Sequence, residues 1–196
     1  MSDQSKNKIA NKIILDPNHW VDNHGDYLYN YAYSRVQSKE IAEDLVQETF
    51  IAGLKAMKSF QGRSSEITWL ISILKRKVID HYRKVSTKKE VSSSDFAKPF
   101  QEKGVHEGHW IMERAPKTWG SDLDDPLNQK EFRHILEVCL SLLPDKLKAV
   151  FVLKFIEEIN SDEVCKELEC TPSNLWVMMH RARLRLRECI ELKWLK

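Results

Sequence analysis

Apolar residues recur at intervals of three and four along most of this chain, and strongly alternating stretches are lacking, so the pattern predicts helices and not a sheet. In HGDYLYNYAYSRVQ, residues Tyr27, Leu28, Tyr31, Ala32 and Arg35 share helical spacing. SKEIAEDLVQETFIAGLKAM continues from a cap at Ser38, with Ala42, Leu45, Val46, Phe50 and Met57 for a buried face. That register leaves Glu40, Glu43, Asp44, Gln47 and Glu48 as an acidic, amide-bearing face, which by itself suits plain solvent exposure. After the polar break FQGRSSE, the segment ITWLISILKRKVIDHYRKVSTKK carries an apolar stripe of Ile67, Leu70, Ile71, Leu74 and Val78.

From about residue 85 to 128 the periodicity fades and Ser, Lys, Gly and Pro increase, with Trp110 and Trp119 among charges. A stretch of that length without clear structure is unusual inside a compact domain and reads as a linker. Periodicity returns in EFRHILEVCLSLLPDKLKAVFVLKFIEEI, two helices parted at Leu143-Pro144. Phe132, Ile135, Leu136 and Leu140 stripe the first. The second, from Val150 to Ile156, has only Lys154 polar, which predicts burial on several sides.

NSDEVCKEL then opens with Asn160 three residues before Glu163, a capping box, and Val164 and Leu168 supply its stripe. The brief break ECTP leads to Thr171, which can cap a new helix, and to Pro172, whose missing N–H costs nothing at a first turn. This is helix-turn-helix spacing, with Glu169 near the place where glycine is usual. In the last helix Leu175, Met179, Ala182, Leu186 and Ile190 form one face, and Trp176, Val177, His180 and Leu184 lie on the other side. The expected fold is all-α: two small helical domains, 18–89 and 129–196, joined by a long linker, 90–128, the second with a helix-turn-helix.

Length and composition agree, since 196 residues with 42% hydrophobic content allow one domain or two small ones. No apolar run reaches the 18 or so residues that span a bilayer, and MSDQSKNKIANKIILDP lacks the apolar core of a secretory signal, so a cytoplasmic protein is expected. The net charge of +2 hides a division into basic, acidic and near-neutral parts. Lys and Arg number 15 against 10 acids in residues 1–89, 4 against 8 in 90–128, and 12 against 11 in 129–196. A stand-alone DNA binder usually carries a strongly basic domain, so grip on DNA is expected to be borrowed from a partner.

Arg181, Arg183, Arg185 and Arg187 spread round the last helix and suit phosphates better than bases. Trp69, His81 and Tyr82 interleave with basic residues, as on surfaces where cations hold a nucleic-acid backbone and aromatics stack on unpaired bases, although Trp69 fits a core equally well. The four cysteines, Cys139, Cys165, Cys170 and Cys189, show no CxxC pairing, and free thiols in a reducing compartment are the expected state. A zinc site or a thiol redox sensor are lesser alternatives. His106 and His109, beside Glu107, are too few to define a metal site, so neither metal nor cofactor is expected.

Four segments taken in order, AEDLVQETF (42–50), FQGRSSEITWLISILKRKVIDHYRK (60–84), LLPDKLKAVFVLKFIEEINSDEVCKEL (142–168) and HRARLRLRE (180–188), resemble the sigma-70 family of bacterial transcription initiation factors. The resemblance is to its compact extracytoplasmic-function group, which keeps only domains 2 and 4, and it covers nearly all of the chain after residue 18. It implies that Asp44, Gln47 and Glu48 dock on core RNA polymerase. It further implies that the loop Gln61 to Ser65 and the helix after it capture and open the −10 promoter element, through Arg63, Ser64, Ser65, Trp69, Lys75, Arg76, Lys77, His81, Tyr82 and Arg83.

The −35 element would be read in the major groove by Thr171, Pro172, Ser173, Trp176, Val177 and His180, with Arg181 and Arg183 near phosphates. Many relatives carry Lys, Ser and Arg where this chain has Trp176, Val177 and Met178, so methyl contact with thymine or groove shape would stand in for hydrogen-bond readout, with a protein contact an equal alternative for Trp176. The acidic linker would thread the polymerase cleft, and an anti-sigma partner would be a further expectation. No catalytic residue is implied. The rival readings are a helix-turn-helix regulator that binds an operator on its own and, further off, a metal- or thiol-dependent enzyme.

Overall fold

A computed structural model describes residues 15–88, 111–112, 115 and 126–194. The linker motifs, including His106, His109, Trp110 and Trp119, lie outside the described residues. The elements are α1 (Trp20–Val36), α2 (Lys39–Ala56), α3 (Glu66–Lys88), α4 (Pro126–Ser141), α5 (Asp145–Phe151, continued by a π-helical turn, Val152–Ile156), α6 (Ser161–Glu167) and α7 (Pro172–Trp194). All regular structure among the described residues is helical, as the periodicity predicts. Contacts divide the chain into two compact units, residues up to Tyr33 with Ser38–Val78, and Ser34–Gln37 with Ile79 onward.

In the first unit, Ser38 caps α2 by accepting from the Ile41 amide, as expected, and Ser65 caps α3 by accepting from Thr68 N at 3.3 Å. Leu28 and Ala32 of α1, Ala42, Leu45 and Val46 of α2, and Leu70, Leu74 and Val78 of α3 are buried. Phe50 is half-buried against Trp20, which is itself 1% exposed and is the largest side chain in this core. Two small residues complete the α2 face. Thr49 buries its hydroxyl by donating to the Leu45 carbonyl at 2.7 Å. Gly53 is where α2 meets Trp20: a Cβ there would lie 2.9 Å from Trp20 Cζ3 and 3.3 Å from Leu70 Cδ2.

A helical glycine normally gives up about 1 kcal/mol to alanine, so Gly53→Ala would stabilise an open position. Here the methyl meets two fully buried side chains, and overpacking costs about 1–3 kcal/mol. The expected outcome is a net loss, read as a melting temperature several degrees lower. A melting temperature that stays put or rises would show that Trp20 can give way.

In the second unit, Cys139, Leu140 and Leu143 pack with Leu186 and Ile190, and Phe132, Ile135, Leu136, Phe151 and Trp194 lie against them. The α5 segment is buried as expected at Leu147, Ala149, Val150, Val152 and Leu153, but Phe155 is 37% exposed. Lys148 is buried as well, and that burial pulls its pKa below the usual lysine value against the opposing pull of Asp145. The π turn places Glu157 N on Val152 O at 2.9 Å, and Glu158, at φ 55°, ends the segment.

Helix α6 starts as the capping box predicts, with Glu163 N donating to Asn160 Oδ1 at 2.8 Å. Its end explains the missing glycine. Glu169 takes φ 50°, the left-handed position, and Cys170 N donates to Cys165 O at 2.9 Å. That bond closes a Schellman motif, in which the residues at the places of Cys165 and Cys170 form the accompanying apolar contact.

One sequence expectation fails in this unit. Cys139 and Cys189 are not free thiols but form a disulfide between α4 and α7, with Cα atoms 5.8 Å apart and 50 residues of separation. Only Cys165 and Cys170 are free. Closing a loop of that length contributes about 4 kcal/mol in the chain-entropy account. The residue types cannot reveal this pairing, because it depends on the two helices crossing at these positions.

Candidate nucleic-acid interface

The start of α7 is set by Thr171, whose Oγ1 accepts from Asn174 N at 3.2 Å and whose carbonyl accepts from Leu175 N at 2.9 Å. Leu175, Met178, Ala182, Leu184, Leu186 and Ile190 face inward. The core face therefore includes Met178, and Met179 is only half-buried, a correction to the expected register. Leu184 moves from the outer face to the core as well. What remains outside is Pro172, Ser173, Trp176, Val177 and His180, all exposed. Trp176 is 64% exposed and its ring stacks parallel to that of His180, 5.6 Å between centroids and 2° between planes.

The arginines are not free-swinging charges. Arg183 lies over the Phe155 ring at 4.7 Å, a cation–π contact that holds the guanidinium at the surface and explains the exposed phenylalanine. Arg181 is half-buried.

In the first unit the turn before α3 relies on Gly62, at φ 68°, where side chains are disfavoured. Arg63 and Ser65 are exposed and Ser64 is half-buried. Ser65 is committed to capping. Trp69 is half-buried, with Phe60 at 5.1 Å and Trp20 at 6.1 Å between ring centroids, so it joins the core while keeping one edge outside. One turn and two turns along lie Ser72 and Arg76, both exposed. Lys75 and Lys77 are half-buried, and Lys77 is 2.9 Å from Glu48.

The last part of α3 departs from the expected DNA face. Tyr82 is 2% exposed and its hydroxyl donates to Arg35 O at 2.6 Å, which makes it a core residue with no free ring face to stack on a base. Burial of the phenol in apolar surroundings is why its pKa is raised beyond the titrating range. His81 is half-buried, and burial lowers its pKa against the pull of Asp145, so it is neutral at physiological pH. Arg83 is held by Asp80 at 3.2 Å and by Glu167.

Sequence reasoning missed Glu66. This first residue of α3 accepts from Trp20 Nε1 at 2.6 Å and Asp16 N at 2.7 Å on one oxygen, and lies 2.8 Å from His24 Nε2 on the other. Partners 42 to 50 residues away leave no spacing signal. Burial alone would raise the carboxyl, but the hydrogen bonds from Trp20, Asp16 and His24 outweigh it and hold the pKa below the ordinary glutamate value.

A depressed folded pKa stabilises the fold above the unfolded value, about 4.3, and the stabilisation is lost as pH falls through the folded pKa. Glu66→Gln is therefore expected to melt lower than the parent at pH 7, with the gap narrowing below pH of about 4. A gap independent of pH would assign the effect to lost hydrogen-bond geometry alone.

On α2, Asp44, Gln47 and Glu48 are exposed. The same face continues into two apolar residues that sequence reasoning passed over, Ile51 and Leu54, each 53% exposed. Large aliphatic side chains left outward beside carboxylates at three- and four-residue spacing suit a protein contact better than plain solvent. Among the described residues no cluster of three or more His, Cys, Asp or Glu side chains could hold a metal ion, and no helix is long and apolar enough to cross a membrane.

The Sigma-70 region 2 profile matches residues 20–87 and the Sigma-70 region 4 profile matches residues 133–186. A probable RNA polymerase sigma factor of Haemophilus influenzae is 34% identical over 173 residues, 85% of each chain. The ECF RNA polymerase sigma factor SigX of Bacillus subtilis is 28% identical over 181 residues, 87% of this chain and 81% of its own. Among solved structures, the sigma factor RpoE from Bartonella quintana, in complex with the anti-sigma factor NepR, is 22% identical with a TM-score of 0.41, covering 89% of this chain and 96% of that one. The chain belongs to the sigma-70 family of RNA polymerase sigma factors, in its extracytoplasmic-function group.

Proposed function

We infer that this protein binds core RNA polymerase and directs promoter-specific initiation, with 18–89 and 129–196 as its two working domains and 90–128 as the linker between them. The observation that carries the reading is the outward face of α7, Ser173, Trp176, Val177 and His180, on a capped helix-turn-helix in a chain whose first part matches region 2. That face reads a −35 duplex in the major groove through apolar contact and shape. Arg181 and Arg183 position it on phosphates.

In the first domain, Arg63, Ser64, the outer edge of Trp69, Lys75, Arg76 and Lys77 make the −10 surface. Tyr82 is buried, His81 is half-buried and neutral, and Arg83 is paired with Asp80 and Glu167, so these three are left out of that surface. Asp44, Gln47 and Glu48, extended by Ile51 and Leu54, dock on the polymerase. RNA synthesis is the polymerase's chemistry, and the working place is the cytoplasm. An anti-sigma protein covering these surfaces is a further partner in this reading. A stand-alone operator-binding regulator is not favoured, because it leaves the region 2 match and the α2 face without a role.

The test is transcription in vitro from a pool of genomic fragments, with core polymerase and with or without the protein, followed by mapping of RNA 5′ ends. New starts that share paired upstream elements are expected. No new starts, together with no binding to core polymerase, would overturn the reading.

A further inference from the structure

We propose that Cys139–Cys189 is a reversible thiol–disulfide exchange site, opened by attack of a thiol reductant on Cys189, and that its state sets how well the helix-turn-helix reads DNA. The inference rests on the initiation-factor reading for its location. Polymerase works where glutathione and thioredoxin keep thiols reduced, and a disulfide in such a protein is usually transient or sensing.

The geometry separates the two sulfurs. Cys139 is 1% exposed, enclosed with Leu140, Leu143, Leu186 and Ile190. Both cysteines border a groove of about 470 Å³, and Cys189, half-buried, is the more accessible of the two. Leu142 and Leu192, 66% and 69% exposed, form part of the groove walls, and the charged lining is Arg185 and Lys193 against the single carboxylate Glu188, a positive balance. Positive charge beside a disulfide favours the thiolate form of an approaching thiol, which is the attacking species.

A thiolate attacks Cys189 Sγ, and the bond to Cys139 breaks with its electron pair going to Cys139, which takes a proton in the core. A second thiolate, from the same reductant or another molecule, attacks the reductant sulfur of the mixed disulfide and releases Cys189 as a thiolate that is then protonated. The pair gains two electrons and two protons, and the reductant becomes a disulfide.

The other two cysteines do not share this setting. Cys165 and Cys170 are in hydrogen-bonding contact as the apolar pair of the α6 cap. Burial, followed by Cys165 itself, pushes the Cys170 thiol up to about 11, so it stays protonated at neutral pH. The double variant C165S/C170S is thus an internal control.

The full-length protein is equilibrated in graded mixtures of reduced and oxidised glutathione without denaturant, thiols are trapped by alkylation, and peptides bearing residues 139 and 189 are quantified by mass spectrometry. Transcription from a −35-dependent promoter is measured across the same mixtures. The expected result is reversible opening and closing within the range glutathione can set, and at least threefold weaker transcription from the open form. C165S/C170S should keep that response, and C139S/C189S should lose it and match the open form.

A bond that stays closed in excess reduced glutathione, thiols that never close, or equal transcription from both forms would each overturn the proposal. The titration needs no polymerase and no variant. Reversible exchange in a protein that fails to support transcription at all would count against the initiation reading while upholding the exchange site.

Discussion

Trp176→Ala is expected to lower transcription from promoters with a −35 element by about tenfold, toward the lower end of the range of about 1–3 kcal/mol for a good base contact. The indole is 64% exposed and stacks parallel to the His180 ring, so the two rings present one flat surface on the outward face of α7. Nothing in the core depends on it. The variant should keep its melting temperature and its affinity for core polymerase. Comparing initiation rates on templates with and without the −35 element isolates the effect. If Trp176→Ala discriminates between those templates as well as the parent does, that surface does not read DNA, and a drop in core affinity instead would make Trp176 a protein-contact residue.

Trp20→Ala should have the largest effect on stability, about 3–5 kcal/mol, from the cavity left by a fully buried indole. Removing Nε1 also takes away the Glu66 hydrogen bond that joins α1 to the start of α3. The turn before α3 is the proposed −10 loop, so loosening that joint is expected to impair promoter opening even below the melting temperature. Trp20→Phe keeps most of the ring volume and loses the hydrogen bond. In urea titrations the alanine variant should unfold at a much lower midpoint, with the phenylalanine variant between it and the parent. Equal midpoints for alanine and phenylalanine would mean that the hydrogen bond, not the ring, holds this core.

Local chemistry is where the sequence was most readable. The caps at Ser38, Asn160 and Thr171 each form the bond their residue type suggests, because a cap is decided by side chains three residues apart. The stripe of Leu70, Leu74 and Val78 is buried for the same reason. Long helices were harder. Helix α7 packs with α4, α5 and α6 along its 23 residues, so its inward face is not one straight stripe, and Met178 and Leu184 are drawn in. Distant encounters were invisible. Glu66 with Trp20 and His24, Cys139 with Cys189, and Tyr82 with the Arg35 carbonyl all depend on crossings that residue spacing does not encode.

Helix α7 is also a lever. Its reading end and its disulfide end belong to one unbroken rod, and the 13 residues from Trp176 to Cys189 span about 20 Å at 1.5 Å per residue. A tilt of about 5° pivoting at the cysteine end would move the indole by nearly 2 Å, enough to take an apolar ring out of the range of about 3.5–4.0 Å where carbon–carbon contacts are strongest. In that reading an event at Cys189 reaches the bases by shifting the Trp176 ring, because angular freedom at one end becomes positional error at the other.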